Sequence, residues 1–395
     1  MYSLCIVESP AKCGKIQGFL GPGWKVVATM GHIRALEETV DAVGLDRDFQ
    51  PRYTFIKEKG KAMSGIKEAA KSAHTVFLAA DDDREGEAIA YSVALLLGLD
   101  PAKTPRAVFH EITKDAVTKA VASPRRLDMN RVDAQQARAV LDMMVGFTIS
   151  PILWKCVGPA LSAGRCQTPA LRLLVDRERE ITTFSSQTSW RISGVWITSS
   201  IGLSFPASLY DELEDEESAM NFLENIHADT RGGVLSTKTA PRTAAPPKPL
   251  ITSTLQQEAS AIFSYQPKST MKSAQRLYEQ GHITYMRTDS TYISEEATAE
   301  AQEYVKRTFG PEYVGKLQSQ AQQPAVAAQE AHEAIRPTHM DVADLPAGEW
   351  TPADIRIYKL IWQRTIQSVM SAAESEEHTV LFLSLIHISE PTRPY

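Results

Sequence analysis

Asp81, Asp83 and Glu85 alternate directly after an apolar run, Thr75-Val76-Phe77-Leu78-Ala79-Ala80. In extended chain, residues two apart point the same way, so Asp81 and Asp83 can converge. Glu85 follows on the first turn of a helix beginning at Arg84. A second apolar run, Leu4 to Val7, ends in Glu8-Ser9-Pro10-Ala11-Lys12. If the two runs are neighbouring parallel strands, four carboxylates meet beyond their carboxyl ends, where ligand sites of such sheets lie. Like charges gathered there repel unless a cation or proton relieves them. Hard oxygen donors suit Mg²⁺, which keeps several waters and bridges to phosphate. The acidic triplet alone equally describes a solvated turn that favours a helix N-terminus; the Glu8 motif on the first strand argues for the site.

Tyr285 lies in Gly281-His282-Ile283-Thr284-Tyr285-Met286-Arg287-Thr288-Asp289-Ser290. A phenol with a reference pKa near ~10 is a weak nucleophile at neutral pH and needs a positive neighbour. If 283–287 is extended, Arg287 lies on the same face about 7 Å along. There a guanidinium can bind phosphate and favour developing phenolate charge. Taken alone, a tyrosine near an arginine is ordinary, and the chain has 12 tyrosines to choose from.

The elements that must position these groups follow from the pattern. Leu4–Val7, Trp24–Thr29 and Thr75–Ala80 read as strands; Lys12–Leu20 and Arg84–Leu97 read as helices, stopped by Gly21 and Gly98. Strand and helix in alternation predict a parallel α/β sheet. Asn130–Gly146 and Leu161–Glu180 have helical spacing. Thr188–Leu209 alternates like strands. Arg231–Pro249, with four prolines, reads as a linker or crossing segment. Thr252 or Ser253 reads as the cap of a helix, and 251–370 is helix-rich.

The 395 residues carry a net charge of -6, which argues against a nucleic-acid partner until its distribution is considered. Residues 211–217 hold six acids, whereas thirteen Lys/Arg face eight Asp/Glu between Lys103 and Glu180. A basic segment in an acidic chain fits a protein that holds a phosphate backbone in one groove. The cysteines, Cys5, Cys13, Cys156 and Cys166, never form Cys-x-x-Cys and read as reduced thiols. No unbroken apolar run approaches the roughly 18 residues of a membrane span, and the N-terminus lacks a basic leader. These features lead us to expect an intracellular protein with no membrane partner, in cytoplasm or nucleoid if bacterial.

Asp81-Asp82-Asp83-Arg84-Glu85-Gly86-Glu87-Ala88-Ile89-Ala90 resembles the acidic motif of the Toprim domain in type IA DNA topoisomerases, and Glu8–Lys12 resembles that domain's first motif. Gly281–Ser290 resembles the family's active-site motif. The resemblance implies that Tyr285 attacks one DNA strand and keeps a 5′-phosphotyrosine, so that religation needs no ATP. Arg287 then binds the scissile phosphate. It implies Mg²⁺ on Asp81 and Asp83, with Glu8 and Glu85. Glu8 also handles the proton on the leaving 3′ oxygen, and Lys12 stabilises phosphate charge. Ala134–Asp142, with Arg138 and Asp142, resembles the helix beneath the single strand. Ser162-Ala163-Gly164-Arg165-Cys166-Gln167 resembles a DNA-contacting loop. Gly31-His32-Ile33-Arg34 and Ala331-His332-Glu333-Ala334-Ile335-Arg336-Pro337 also match, with His32 a DNA contact and His332 steadying the phosphate. Ala35, Ala139 and Met143 depart from residues common in the family.

The resemblance covers about Leu4 to Leu383 and implies a multidomain toroidal architecture. Its parts are an α/β Toprim domain at 1–125, mostly helical groove residues at 126–184, a β-rich arch at 185–248, and a tyrosine-bearing helical domain at 249–372. Residues 373–395 begin a return strand and end in a tail, 384–395, that continues no pattern. We expect the ring to be incomplete at the C-terminus, and the Tyr285 and carboxylate motifs to sit on separate domains that close on each other. The implied partner is single-stranded or negatively supercoiled DNA, handled by a monomer. A truncated, DNA-binding fragment unable to complete strand passage is the alternative. A Toprim primase or nuclease would have no use for Tyr285-Met286-Arg287.

Overall fold

The computed structural model describes residues 1–227, 230–315 and 332–384. Strand β1 (Tyr2–Val7) leads into helix α1 (Pro10–Leu20), then β2 (Trp24–Ala28), a short pair β3 (Arg34–Leu36) and β4 (Tyr53–Phe55), α2 (Gly60–Lys71), β5 (Ala73–Leu78), α3 (Arg84–Leu97) and α4 (Lys114–Ala122). The long α5 (Met129–Cys156) and α6 (Gln167–Thr183) follow. Next come β6 (Ser193–Ile197), β7 (Ser204–Ser208), α7 (Glu216–Glu224) and β8 (Gly232–Ala244). Helices α8 (Thr252–Phe263), α9 (Pro267–Glu279), α10 (Glu295–Thr308) and α11 (Pro352–Ser368) precede β9 (Ala373–Ser384).

The central sheet has the order β2-β1-β5, all parallel, with Leu4 opposite Lys25 on one side and Val76 on the other. Arg106 adds a parallel bridge to Leu78. The first and last strands of the acidic edge are therefore neighbours, as their motifs require. Strand β1 is buried on both faces, as parallel sheets demand. Leu4 and Ile6 pack with Ile33, Ile66, Leu78 and Val93. Cys5 and Val7 pack into a second core with Ile16, Phe109 and Ile112.

That second core continues into Leu255, Leu277, Tyr278, Tyr285 and Tyr358. The chain divides into two compact units, residues 1–167 with 245–373, and residues 168–244 with 374–395. Tyr285 and the acidic edge thus share one unit and one apolar core. The two motifs, expected on separate domains that close on each other, are packed together here.

Local boundaries moved for identifiable reasons. Helix α1 starts at Pro10 because the Ser9 hydroxyl accepts from the Ala11 N–H at 3.3 Å and proline suits a first turn. Helix α5 does not stop at Gly146; it runs through Pro151 to Cys156. Its 28 residues are, by length and composition alone, apolar enough to cross a bilayer, which the absence of an unbroken apolar run had concealed. Lone helices of this kind are weak evidence, and here Arg131 and Arg138 face acids of α3 and its approach. The segment 231–249, read as a linker or crossing segment, is mostly strand β8, paired with β9. Thr252 is the first residue of α8 instead of its cap, and its hydroxyl donates to the Met286 and Thr288 carbonyls at 2.8 and 3.0 Å. The tail from 385 onward and Ala331 lie outside the described residues.

Candidate active site

The acidic edge is assembled by the turn between β5 and α3. Asp83 is the N-cap of α3; its Oδ1 accepts from the Gly86 N–H at 2.7 Å. A side chain at Gly86 would place its Cβ 2.1 Å from the Asp81 carbonyl, so the turn closes only around glycine. The Arg106 guanidinium, fully buried, donates to the carbonyls of Ala80 and Asp81 at 2.7 Å each and meets Glu87 at 3.1 Å. Arg125 also meets Glu87, at 2.9 Å. This buried network fixes the backbone that carries Asp81 to Asp83.

The four expected carboxylates are separated by their partners. Asp81 pairs with the Lys12 ammonium, which is 1% exposed, and accepts from the Tyr278 hydroxyl at 3.2 Å. Lys12 also stands 4.8 Å over the Tyr278 ring. Asp83 accepts from the Tyr285 hydroxyl through Oδ2, and Arg287 approaches the same oxygen at 3.6 Å. Glu85 turns to His32 at 2.9 Å, Gln135 at 3.1 Å and Arg138 at 3.4 Å. The His32 hydrogen bond, more than any other contact, holds its carboxyl below the usual range. Glu8 is mostly buried, and no hydrogen bond or ion pair to its carboxylate occurs among the described residues. Burial first, then the Asp81 charge, pushes it up to about 6. These four do not form one tight ligand set here. A carboxylate raised by burial and then by its acidic neighbours is nonetheless what a hard divalent cation would relieve, and the donors are all oxygen.

Tyr285 is 4% exposed, on a loop whose Ile283 bridges to Pro337 rather than on a strand. Its own N–H donates to the His110 carbonyl at 2.8 Å. Burial, followed by the Asp83 and Asp81 charges, raises its phenol well above 10. His332 lies beside it, ring centroids 6.0 Å apart. Asp83, Glu85, Arg138, Thr252, Arg287 and His332 line one cleft of about 450 Å³.

The groove residues form a separate cluster. Arg165 reaches Asp142 at 3.0 Å, Gln167 donates to the Ser162 hydroxyl at 3.1 Å, and the Ala163 N–H donates to the Ser150 hydroxyl at 3.1 Å. Gly164 packs so closely on Gln167 that a Cβ would meet its side chain at 3.2 Å, and Cys166 is exposed.

A Toprim-domain model matches residues 3–112, and a DNA topoisomerase model matches residues 126–390. Full-length topoisomerase I from Thermotoga maritima is similar at 37% identity and a TM-score of 0.82, over 96% of this chain. The chain belongs to the type IA DNA topoisomerases. It spans 63% of the Thermotoga topoisomerase I chain. The family match runs to 390, into the tail that the sequence pattern had set apart. A Toprim domain and helical domains are thus both present in this topoisomerase-family chain.

Sequence reasoning passed over three groups beside the tyrosine. Tyr278 was an ordinary helix residue until its hydroxyl met Asp81. Asp82 was given no role, yet it takes Arg131 at 2.7 Å and Arg125 at 3.1 Å. Burial would raise its carboxyl, but Arg131, His110 and two further arginines outweigh this and hold it low. His110 closes the apolar stretch Ala107-Val108-Phe109 at the same sheet edge, a signal that was legible but unused.

Proposed function

We propose that this chain cleaves one DNA strand through Tyr285 and reseals it, as part of Mg²⁺-dependent, ATP-independent relaxation of negatively supercoiled DNA. The observation that carries the reading is the contact of the Tyr285 hydroxyl with Asp83, beside Arg287, in a cleft at the acidic edge. Asp83 is placed to accept the phenol proton. Arg287 offers its guanidinium to the scissile phosphate, and His332 lines the same cleft. Burial first, then the acids around it, hold the phenol of Tyr285 in its neutral form, so cleavage would require that charge to be offset. Glu8, Asp81 and Asp83 would hold Mg²⁺, with Glu85 at the margin, and the ion would supply charge that offsets these acids and the phosphate. Glu8, mostly buried beside Asp81, is the group that would handle the proton on the leaving 3′ oxygen. Lys12 holds Asp81 in place and supplies positive charge beneath the phosphate site. His32 and Arg138, then Ser162 to Gln167 with Asp142, would track the strand away from the cleft.

The test is a covalent adduct. The protein is incubated with 3′-end-labelled single-stranded DNA with and without Mg²⁺, stopped with detergent, and compared with Tyr285→Phe. Label migrating with protein, lost in the variant, is expected. DNA retained on a filter with no adduct would overturn the cleavage reading and favour a strand-binding chain.

A further inference from the structure

We propose that Asp82, His110 and His332 form a second metal site, one for a borderline transition-metal ion, Zn²⁺ foremost, distinct from the hard-oxygen edge. One ligand atom from each residue lies within 4.8 Å of the other two, the one such group of three among the described residues. His110 Nδ1 and His332 Nδ1 face each other at 3.3 Å. Two Zn–N bonds of about 2.0–2.1 Å at a tetrahedral angle separate their nitrogens by roughly that distance. Asp82 completes the group within 4.8 Å; in the ion-free arrangement its Oδ2 stands 3.7 Å from the other His110 nitrogen, Nε2, and one His110 nitrogen alone would serve the ion. Its Oδ1 is already held by Arg131 and Arg125, which orients the carboxylate as outer partners of metal ligands do. Arg125 is itself matched by Glu87, so its charge is partly offset.

The donor set decides the ion. Two imidazoles and one carboxylate suit zinc, cobalt, nickel or copper and suit Mg²⁺ poorly. Three protein ligands leave a fourth position open. The ligands come from three distant stretches of chain: the turn after β5, the strand-like end at His110, and His332. A bound ion would tie the tyrosine region to the sheet edge, because the Tyr285 N–H already donates to the His110 carbonyl. It would also take His332 from the cleft. The inhibition that follows rests on the cleavage reading above, whereas binding itself does not.

Co²⁺ is the probe, titrated in excess Mg²⁺ into the full chain carrying Cys156→Ser and Cys166→Ser to remove the exposed thiols. We expect one equivalent with the visible absorption of a four-coordinate site, displaced by Zn²⁺, and a raised melting temperature. His110→Gln and Asp82→Asn should each weaken binding at least about tenfold, while His378→Gln leaves it unchanged. A circular-dichroism melt reports whether each variant is folded. Failure of the parent to retain Co²⁺, or equal retention by folded His110→Gln and Asp82→Asn, would overturn the site. In the adduct assay, Zn²⁺ should suppress cleavage by the parent at least about tenfold more than by His110→Gln. If the parent forms no adduct under any condition, the cleavage reading fails and the cobalt titration still decides the site.

Discussion

The unit that holds Tyr285 and the unit that holds the β6–β7 and β8–β9 ribbons are stabilised in different ways. In the first, β1 is covered on both faces, and apolar side chains from β1 to α11 share one core. In the second, α6 buries none of its residues, Val195, Ile197, Val234 and Leu235 are exposed on the strands, and Ala219 is the one buried residue of α7. Its order rests on backbone pairing and on helical ion pairs such as Arg172–Asp176 at 2.6 Å and Arg177–Glu180 at 2.8 Å. Such exposed pairs contribute only about 0.3–0.5 kcal/mol each. The difference teaches where substitutions will be felt. Chemistry that needs positioned carboxylates is built on the unit with a dense core, and the ribbons can vary at little thermodynamic cost.

The sharpest way to break this comparison is Glu87→Gln. It keeps the shape but leaves the buried Arg106 guanidinium without its counter-charge, so unfolding free energy should fall by about 3–5 kcal/mol in denaturant melts. A loss below about 1 kcal/mol would mean that the network is not what supports the acidic turn. Next, Gly86→Ala must displace the Asp81 carbonyl and should cost about 2 kcal/mol, with adduct formation reduced in parallel. Retained stability with lost adduct would show that the turn matters for geometry alone. A smaller effect concerns His282, which burial, then Lys15 and His339, push down to about 4. The unfolded chain takes up this proton first, near ~6.5, so stability is full above that pH and declines as pH falls towards 4. The ring is half-exposed, so the slope should be shallow. His282→Gln should flatten it, and an unchanged slope would assign the pH response elsewhere. Last, Leu173→Ser on α6 should change stability by less than about 0.5 kcal/mol, because that side chain is already in water. A larger loss would show that the second unit depends on that face.

Much of the site was legible because its groups are close in sequence or carry long motifs. Asp81 to Glu85 alternate within one turn, and Gly281 to Ser290 is a ten-residue match, so both could be placed before any coordinates. The partners were not legible. Nothing near Tyr278 announces that its hydroxyl will meet an acid almost two hundred residues earlier, and His110 gains meaning only beside His332. The fold followed the same division. Strand β1 and helix α3 were plain from apolar runs and stop signals. Strand β8 lay within the expected β-rich arch, but Pro241 and its neighbours left it read as a linker or crossing segment; a two-stranded ribbon leaves each strand a free edge, where a missing N–H is tolerated. Helix α5 was ended at Gly146, although glycine and Pro151 only weaken a helix locally, and the helix runs through both.

Asp83 serves two masters with two oxygens. Oδ1 belongs to α3, whose first turn it closes, and Oδ2 belongs to Tyr285. Detaching the phenol therefore leaves the helix start intact. Parting the phenol from Asp83 breaks one charge-assisted hydrogen bond, about 1.5–3 kcal/mol, with no unravelling of α3, while the burial of the ring beside Tyr278 and the Tyr285 N–H bond to the His110 carbonyl add to the cost of moving the residue itself. The carboxylate works as a latch whose hasp is bolted to the wall: the oxygen that meets the phenol is held in place by the helix, whether or not the phenol is there.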